Sequence, residues 1–195
     1  RFHRGAFYLA EQLNIDIIPV VFHGMGHVLP KREFLLRKGI VTVHILPRIL
    51  PDDVSYGHGY ADRSKQVRRL FVNEYARMVE ESETPSYWRD AVLANYSYKG
   101  TAIKREAQRE LKNRTEQERQ IAEIPAGARI VIRQCGIGAF ALLCALVRKD
   151  IKIVALDEDA DKIAVAGRCP LCPRHLEYRV GKSTVLTDEM FDCVI

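Results

Sequence analysis

The sequence predicts an α/β fold organised around one parallel βαβ unit, and three stretches carry the prediction. Ile130-Val131-Ile132 is a β-branched run of the kind buried in parallel sheets. Gly136 and Gly138 follow it, where a tight turn can bring the backbone against a ligand, and Phe140 to Val147 continues as an almost wholly apolar helix. Ile151 to Leu156 is a second apolar strand that ends on Asp157. That acid stands about twenty residues after the glycines, the distance at which a carboxylate beyond the second strand meets a ribose.

Strand, glycine turn, helix, strand and acid in this order describe a Rossmann-like unit. Its candidate cofactor-binding residues are Gly136, Gly138, Asp157 and Glu158. Gly136-x-Gly138-x-x-Ala141 alone is weak evidence, and the flanking strands give it meaning. A βαβ half that packs and binds nothing is the competing reading.

Composition sets the limits around this unit. With 195 residues and 47% hydrophobic content the chain can bury one sizeable core or two small ones, and two are expected. No run reaches the roughly 18 uninterrupted apolar residues of a membrane span, and no signal-peptide pattern opens the chain. It begins with Arg1, and Phe191 to Ile195 reads as a buried strand cut off as it forms, so the sequence reads as an excerpt from a longer polypeptide. The net charge of +5 is concentrated in residues 1–82, which hold 12 Lys and Arg against 9 Asp and Glu. Such a surplus favours an anionic partner or a mixed solvated surface. Five scattered cysteines do not form a secreted disulfide framework, which points to a reducing cytosol.

In chain order, Ala6, Leu9, Ala10 and Leu13 mark the face of a first helix, and Ile15 to Phe22 a strand buried on both faces, with Pro19 at a bulge or a position needing no donor. His23-Gly24-Met25-Gly26-His27 reads as a flexible turn. Val41, Val43 and Ile45 alternate with Thr42 and His44 as a half-exposed strand, closed by Pro47 and Pro51. Asp62 or Ser64 caps a helix whose stripe runs Val67, Leu70, Phe71, Tyr75, Met78 and Val79. Thr84-Pro85 starts another, with Trp88, Ala91, Val92, Asn95 and Tyr96 on one face, and Gly100 ends it. The charge-dense stretch 101–123 reads as a solvated connecting helix seamed by Ile103, Ala107, Leu111 and Ile121, stopped by Pro125 and Gly127. Asp161 to Ala166 is a short helix and Leu176 to Val180 a strand. Between them Cys169, Cys172 and His175 have zinc-like spacing, but they make half a site, so no metal ligand is assigned.

Residues 1–82 resemble the second half of a glycerolipid acyltransferase domain of the lysophosphatidic acid type. The resemblance rests on Arg1-Phe2-His3-Arg4-Gly5-Ala6-Phe7, Ile17-Ile18-Pro19-Val20-Val21-Phe22-His23-Gly24, Gly39-Ile40-Val41-Thr42-Val43 and Leu46-Pro47-Arg48-Ile49. It implies acyl transfer from an acyl-CoA or acyl-carrier-protein thioester to a lysolipid. That family uses His as general base with Asp five positions on, and here the six histidines are followed at that offset by Tyr8, Val28, Arg32, Ile49, Arg63 and Val180. No Glu-Gly-x-Arg is present either, so no catalytic residue is assigned.

Residues 126–195 resemble the Rossmann-like S-adenosylmethionine methyltransferases through Cys135-Gly136-x-Gly138, Asp157 and Phe191-Asp192-Cys193-Val194-Ile195. The family's acid before the turn and the Gly next to the Cys are here Ile132 and Gln134. The resemblance implies S-adenosylmethionine as the possible cofactor, in a methyltransferase-like domain that is either degenerate or working.

The expected organisation is a partial acyltransferase α/β layer over 1–82, a helical linker over 83–125, and a truncated Rossmann-like domain over 126–195. The main expectation is lipid acyl transfer by the complete protein, with methyl transfer or a non-catalytic nucleotide-binding module as alternatives. The order of the two resemblances looks like large bacterial lipid-handling fusions, which implies a cytoplasmic protein peripheral to the inner face of a membrane. Lys31, Arg32, Arg37 and Lys38 around Phe34, Leu35 and Leu36 suggest an anionic membrane surface as partner, and no recognition motif points to nucleic acid.

Overall fold

A computed structural model describes residues 3–31, 34–181 and 191–195. Arg1, Phe2 and Arg32, which entered the motif and loop readings, lie outside the described residues. The chain divides into two compact units, Arg1–Gly26 with Ile40–Ser82, and His27–Gly39 with Glu83–Ile195.

The first unit holds α1 (Gly5–Leu13), β1 (Val20–His23), β2 (Thr42–Ile45) and α3 (Gly59–Ser82). Strands β1 and β2 pair antiparallel, Val20 opposite Ile45 and His23 opposite Thr42. The strand expected over 15–22 is shorter: Pro19 has no N–H to donate, so the ladder begins after it, while its carbonyl accepts from Leu46 N at 2.9 Å. A single bridge joins Ile17 to Ile49, and Ile18 and Phe22 remain exposed. The expected face of α1 is also corrected. Leu9 and Leu13 face outward, whereas Phe7 and Ala10 are buried, because Phe7 fills a small core with Ile49 and Val67.

Strand β2 alternates and is half exposed as expected, with its polar residues turned inward. Val43 and Ile45 are exposed while His44 is drawn in by Glu74 of α3, whose Oε1 lies 2.7 Å from His44 Nδ1. Arg77 holds the same carboxylate at 2.6 Å and, with His44, pulls its pKa down to about 2. Helix α3 starts at Gly59, so Asp62 falls in its first turn and does not cap it. The segment expected as a turn after His23 contains the short α2 (Met25–Val28).

The second unit contains α4 (Pro85–Ser97), α5 (Thr101–Glu110), α6 (Arg114–Glu123), β3 (Arg129–Ile132), α7 (Ala139–Val147), β4 (Lys152–Asp157), α8 (Ala160–Gly167), β5 (Leu176–Val180) and β6 (Cys193–Val194). Thr84 caps α4 as expected, its hydroxyl accepting from Tyr87 N at 3.2 Å with Pro85 behind it. The stretch 101–123 is two helices, not one solvated spacer. Ala107, Leu111 and Ile121 are buried, and a buried Arg89 holds the break between α5 and α6 through the Leu111 carbonyl and Gln117 Oε1. The whole stretch 83–125 therefore packs into the same compact unit as the sheet.

Strands β3 to β6 form a four-stranded parallel sheet in the order β5-β4-β3-β6. Counting from β3, this is the 3-2-1-4 arrangement of a Rossmann-like sheet, with its switch point between β3 and β6. Ile130, Val131 and Ile132 are all buried, and α7 from Ala139 to Leu146 is apolar on every side because it is buried all round, Phe140 alone being partly exposed. Among the described residues no helix is long and apolar enough to cross a membrane.

Candidate functional site

The first βα turn lies at the carboxyl ends of β3 and β4, the edge where open α/β sheets bind ligands. Gly136 (φ 60°) and Gly138 (φ 77°) take left-handed backbone conformations that suit glycine. Gln134 also stands at φ 52°, at the position where the methyltransferase pattern has Gly. The turn is tied to the sheet by Cys135 N on the Leu156 carbonyl at 2.8 Å, and closed on itself by Gly138 N on the Cys135 carbonyl at 2.9 Å.

Asp157 is built into this turn. Its Oδ2 accepts from Gly136 N at 2.8 Å and its Oδ1 from Asp159 N at 3.0 Å. Each oxygen keeps a lone pair for a further donor, so these bonds leave capacity for a ribose hydroxyl. Glu158 is exposed beside it, at the edge of the sheet. The structure thus brings Gly136, Gly138 and Asp157 together, with Glu158 adjacent in the chain.

Two further contacts on the turn come from Tyr96, expected only on the packed face of α4, and from Tyr178, which no motif marked. Tyr96 of α4 donates its hydroxyl to the Ile137 carbonyl at 2.7 Å, and Tyr178 of β5 donates to the Gly138 carbonyl at 2.9 Å. Burial pushes both phenols well above the usual range, so they act as neutral donors. A methyl at Gly138 would run into the Tyr178 ring and Ala166 Cβ.

The largest departure from expectation is Glu110, the last residue of α5. Its Oε1 accepts from Ile137 N at 2.7 Å and its Oε2 from Ala139 N at 2.8 Å. The carboxylate therefore spans the amino end of α7, where free backbone N–H groups and the helix dipole favour a negative charge. A methyl at Gly136 would collide with Glu110 Oε1. Burial nevertheless outweighs these bonds and pushes the Glu110 carboxyl up to about 7, Glu106 adding to the shift. A signal for Glu110 existed in its spacing: Ile103, Ala107 and Glu110 fall at i, i+4 and i+7, which puts the acid on the apolar seam.

The cysteine loop is spoken for by other contacts. Asn95 Nδ2 donates to Cys169 Sγ at 2.7 Å, and His175 Nε2 lies 2.9 Å from the Ala145 carbonyl. Among the described residues no group of three metal-ligating side chains comes together. Cys135 is no nucleophile: burial, then the charges of Asp157 and Glu110, push its thiol up to about 12.

Two surface features lie elsewhere. In the first unit a groove of about 810 Å³ is lined by apolar residues, Val20, Phe22 and Phe71 among them, and by Arg4, Lys65 and Arg68. In the second, the loop before Gly39 presents Phe34 at 98% exposure, with Leu35 and Leu36 also exposed. Its base is pinned: Arg37 N donates to the Val28 carbonyl at 2.7 Å, Lys38 N to Tyr98 Oη at 3.0 Å, and Tyr98 Oη to the Leu36 carbonyl at 3.3 Å.

No known protein family and no curated protein matches the chain. Among solved structures, coclaurine N-methyltransferase bound to N-methylheliamine and SAH is similar over 67% of this chain and 48% of its own length, at 17% identity and a TM-score of 0.36. The plantazolicin methyltransferase BpumL, in complex with a monoazolic desmethylPZN analog and SAH, is similar over 61% of this chain and 48% of its own, at 12% identity and a TM-score of 0.34. The chain thus spans about half the length of each. At these scores the likeness adds nothing to what the strand order itself states.

Proposed function

We propose that the parallel-sheet unit is an adenosyl-cofactor-binding domain of the methyltransferase kind, taking S-adenosylmethionine or its demethylated product at the carboxyl edge of β3 and β4. The observation that carries this reading is the left-handed Gly136–Gly138 turn beside the switch point, bonded to an acid that ends the next strand. Asp157 would hold the ribose hydroxyls through its remaining lone pairs, and Glu158 would lie beside the adenine. When bound, the cofactor would supply an activated methyl group. This chain's residues fit its ribose end, whereas the glycine-turn end is filled by Glu110. The family's acid before the turn is Ile132, which is buried in the core and offers no polar anchor.

Isothermal titration of the chain with S-adenosylhomocysteine tests the reading. Binding that Asp157→Asn weakens at least tenfold, with the fold intact by circular dichroism, supports it. Equal binding by both proteins, or none by any variant of the site, rejects it.

A second reading concerns lipid. The groove of the first unit, lined by apolar side chains and by Arg4, Lys65 and Arg68, suits an amphiphile with an anionic head, the chemistry of a lysophosphatidic acid acceptor. Acyl transfer itself rests on the motif resemblance alone, and His44 lies 2.7 Å from the Glu74 carboxylate that Arg77 also holds. Saturable binding of lysophosphatidic acid that Arg68→Ala weakens, with no effect of Asp157→Asn, supports lipid binding by the first unit; no saturable binding rejects it.

A further inference from the structure

We propose that Glu110 is an internal occupant of the glycine turn, a side chain that shuts the cofactor site against the charged end of its ligand until the last turn of α5 withdraws. This rests on the cofactor-binding reading and adds a mode of regulation to it. The observation is a coincidence of position. A cofactor that uses the Gly136–Gly138 turn must approach Gly136, and the space a side chain would need there is already filled by Glu110 Oε1. The same carboxylate takes the N–H groups of Ile137 and Ala139, 2.7 and 2.8 Å away. It presents to the turn the chemistry that a ligand carboxylate would present.

The geometry around Glu110 shows how the occupant is held. Its backbone carbonyl accepts from Gln117 Nε2 at 2.5 Å, Gln117 Oε1 accepts from Arg89 at 3.0 Å, and Arg89 also reaches the Leu111 carbonyl. Arg89 and Gln117 are both buried, so the break between α5 and α6 is clamped from within the unit. Ala107 and Leu111 anchor the helix on either side of the acid. Clamp and occupant together are a larger construction than capping of α7 requires, since one Ser, Thr or Asp at the helix start performs that task locally.

The ionisable groups around the carboxylate do not fix it there by charge. Glu106 of α5 repels it, Tyr96 of α4 and Cys135 of the turn are held neutral by burial, and Asp157 adds a second negative charge at the turn. Backbone amides alone hold the anion. A ligand that brings its own carboxylate can take over those amides one for one, which is the property a displaceable occupant needs.

The test compares the chain with Glu110→Ala, following the Ile137 and Ala139 amides by ¹H–¹⁵N spectroscopy during titration with S-adenosylhomocysteine and, separately, with inorganic phosphate. The expected result is at least tenfold tighter cofactor binding in the variant, with both amides shifting as ligand is added. Adenosine, which lacks the amino-acid carboxylate, should gain less than threefold. Unchanged or weaker cofactor binding by a folded Glu110→Ala overturns the proposal and leaves Glu110 as a structural cap of α7. If neither protein binds cofactor, the cofactor reading fails by itself and the phosphate arm decides. Amides that respond to millimolar phosphate only in the variant keep Glu110 as an occupant, and amides that stay silent reject it. Should Glu110→Ala fail to fold, Glu110→Ser, whose side chain is too short to reach the turn, is read by the same criteria.

Discussion

Gly136 N donates to Asp157 Oδ2 across 2.8 Å, so the acid at the end of β4 holds the turn that follows β3. The carboxylate is thus a structural member of the turn. Asp157→Ala leaves the N–H groups of Gly136 and Asp159 without their acceptor. The expected cost is about 1–3 kcal/mol of unfolding free energy. Urea unfolding measures it, and a loss under about 0.5 kcal/mol would show that water replaces the carboxylate freely.

Glu110 gives folding a pH dependence in a defined window. Its carboxyl sits at about 7 in the folded chain against an ordinary 4.5, so the native state binds the proton more tightly than the unfolded state. Its contribution is fully present below about 4.5 and is lost as pH rises through about 7, so stability should fall across that interval and level off above it. Glu74 and Asp150, whose carboxyls are pulled down by Arg77 and Arg148 respectively, act at lower pH and leave this window clear. Unfolding curves at pH 5, 6, 7 and 8 should show the slope in the native sequence and a flattened one in Glu110→Gln; equal slopes would contradict the assignment.

Gln134 occupies a left-handed position that its side chain disfavours, at φ 52° and exposed. Gln134→Gly should stabilise the chain by about 0.5–1 kcal/mol, because the relieved backbone strain exceeds the added freedom of the unfolded chain. Thermal unfolding checks this, and a lowered midpoint would mean that the Gln side chain makes a contact worth more than the strain.

The cysteines should divide by reactivity. Burial pushes Cys135 and Cys144 up to about 12 and Cys169 to about 11. A thiol-disulfide reagent at pH 8 should leave these three unlabelled in the folded chain and reach all five in denaturant, with mass spectrometry locating the sites. Labelling of Cys144 at the rate of a free thiol in native buffer would contradict its burial.

The loop of Phe34, Leu35 and Leu36 combines an exposed apolar tip with Lys31 and Lys38, and its base is fastened by Tyr98. Weak, salt-sensitive sedimentation with anionic vesicles is expected, each cation near the surface adding about 1 kcal/mol. Phe34→Asp should abolish it. Equal sedimentation with neutral and anionic vesicles at low salt would remove the anionic membrane as a partner.

Legibility in the sequence followed the range of the forces involved. Strand β3, helix α7, strand β4 and the acid at its end were readable because parallel burial demands continuous apolar runs and the turn demands glycine. Thr84-Pro85 was readable because a cap is a local device. Which face of β2 turns inward was not, since it follows from His44 meeting Glu74 thirty residues away. Glu110 was hidden for the same reason: charge density suggested a solvated helix, and only the packing of α5 beside α7 carries an acid from residue 110 into the turn at 136–139.

The two tyrosines that hold the turn enter from opposite directions in the chain. Tyr96 is made before Gly136 and Tyr178 well after it, the two hydroxyl bonds spanning 41 and 40 residues. During synthesis the turn therefore receives its first hydroxyl as soon as it forms, but stays unlatched on the β5 side until residue 178 has been added. A nascent chain stopped between α8 and β5 would carry the glycines, the acid and Glu110, yet lack the ring that backs Gly138. The β5 side of the turn is thus completed later in translation than the glycines and the acid it backs.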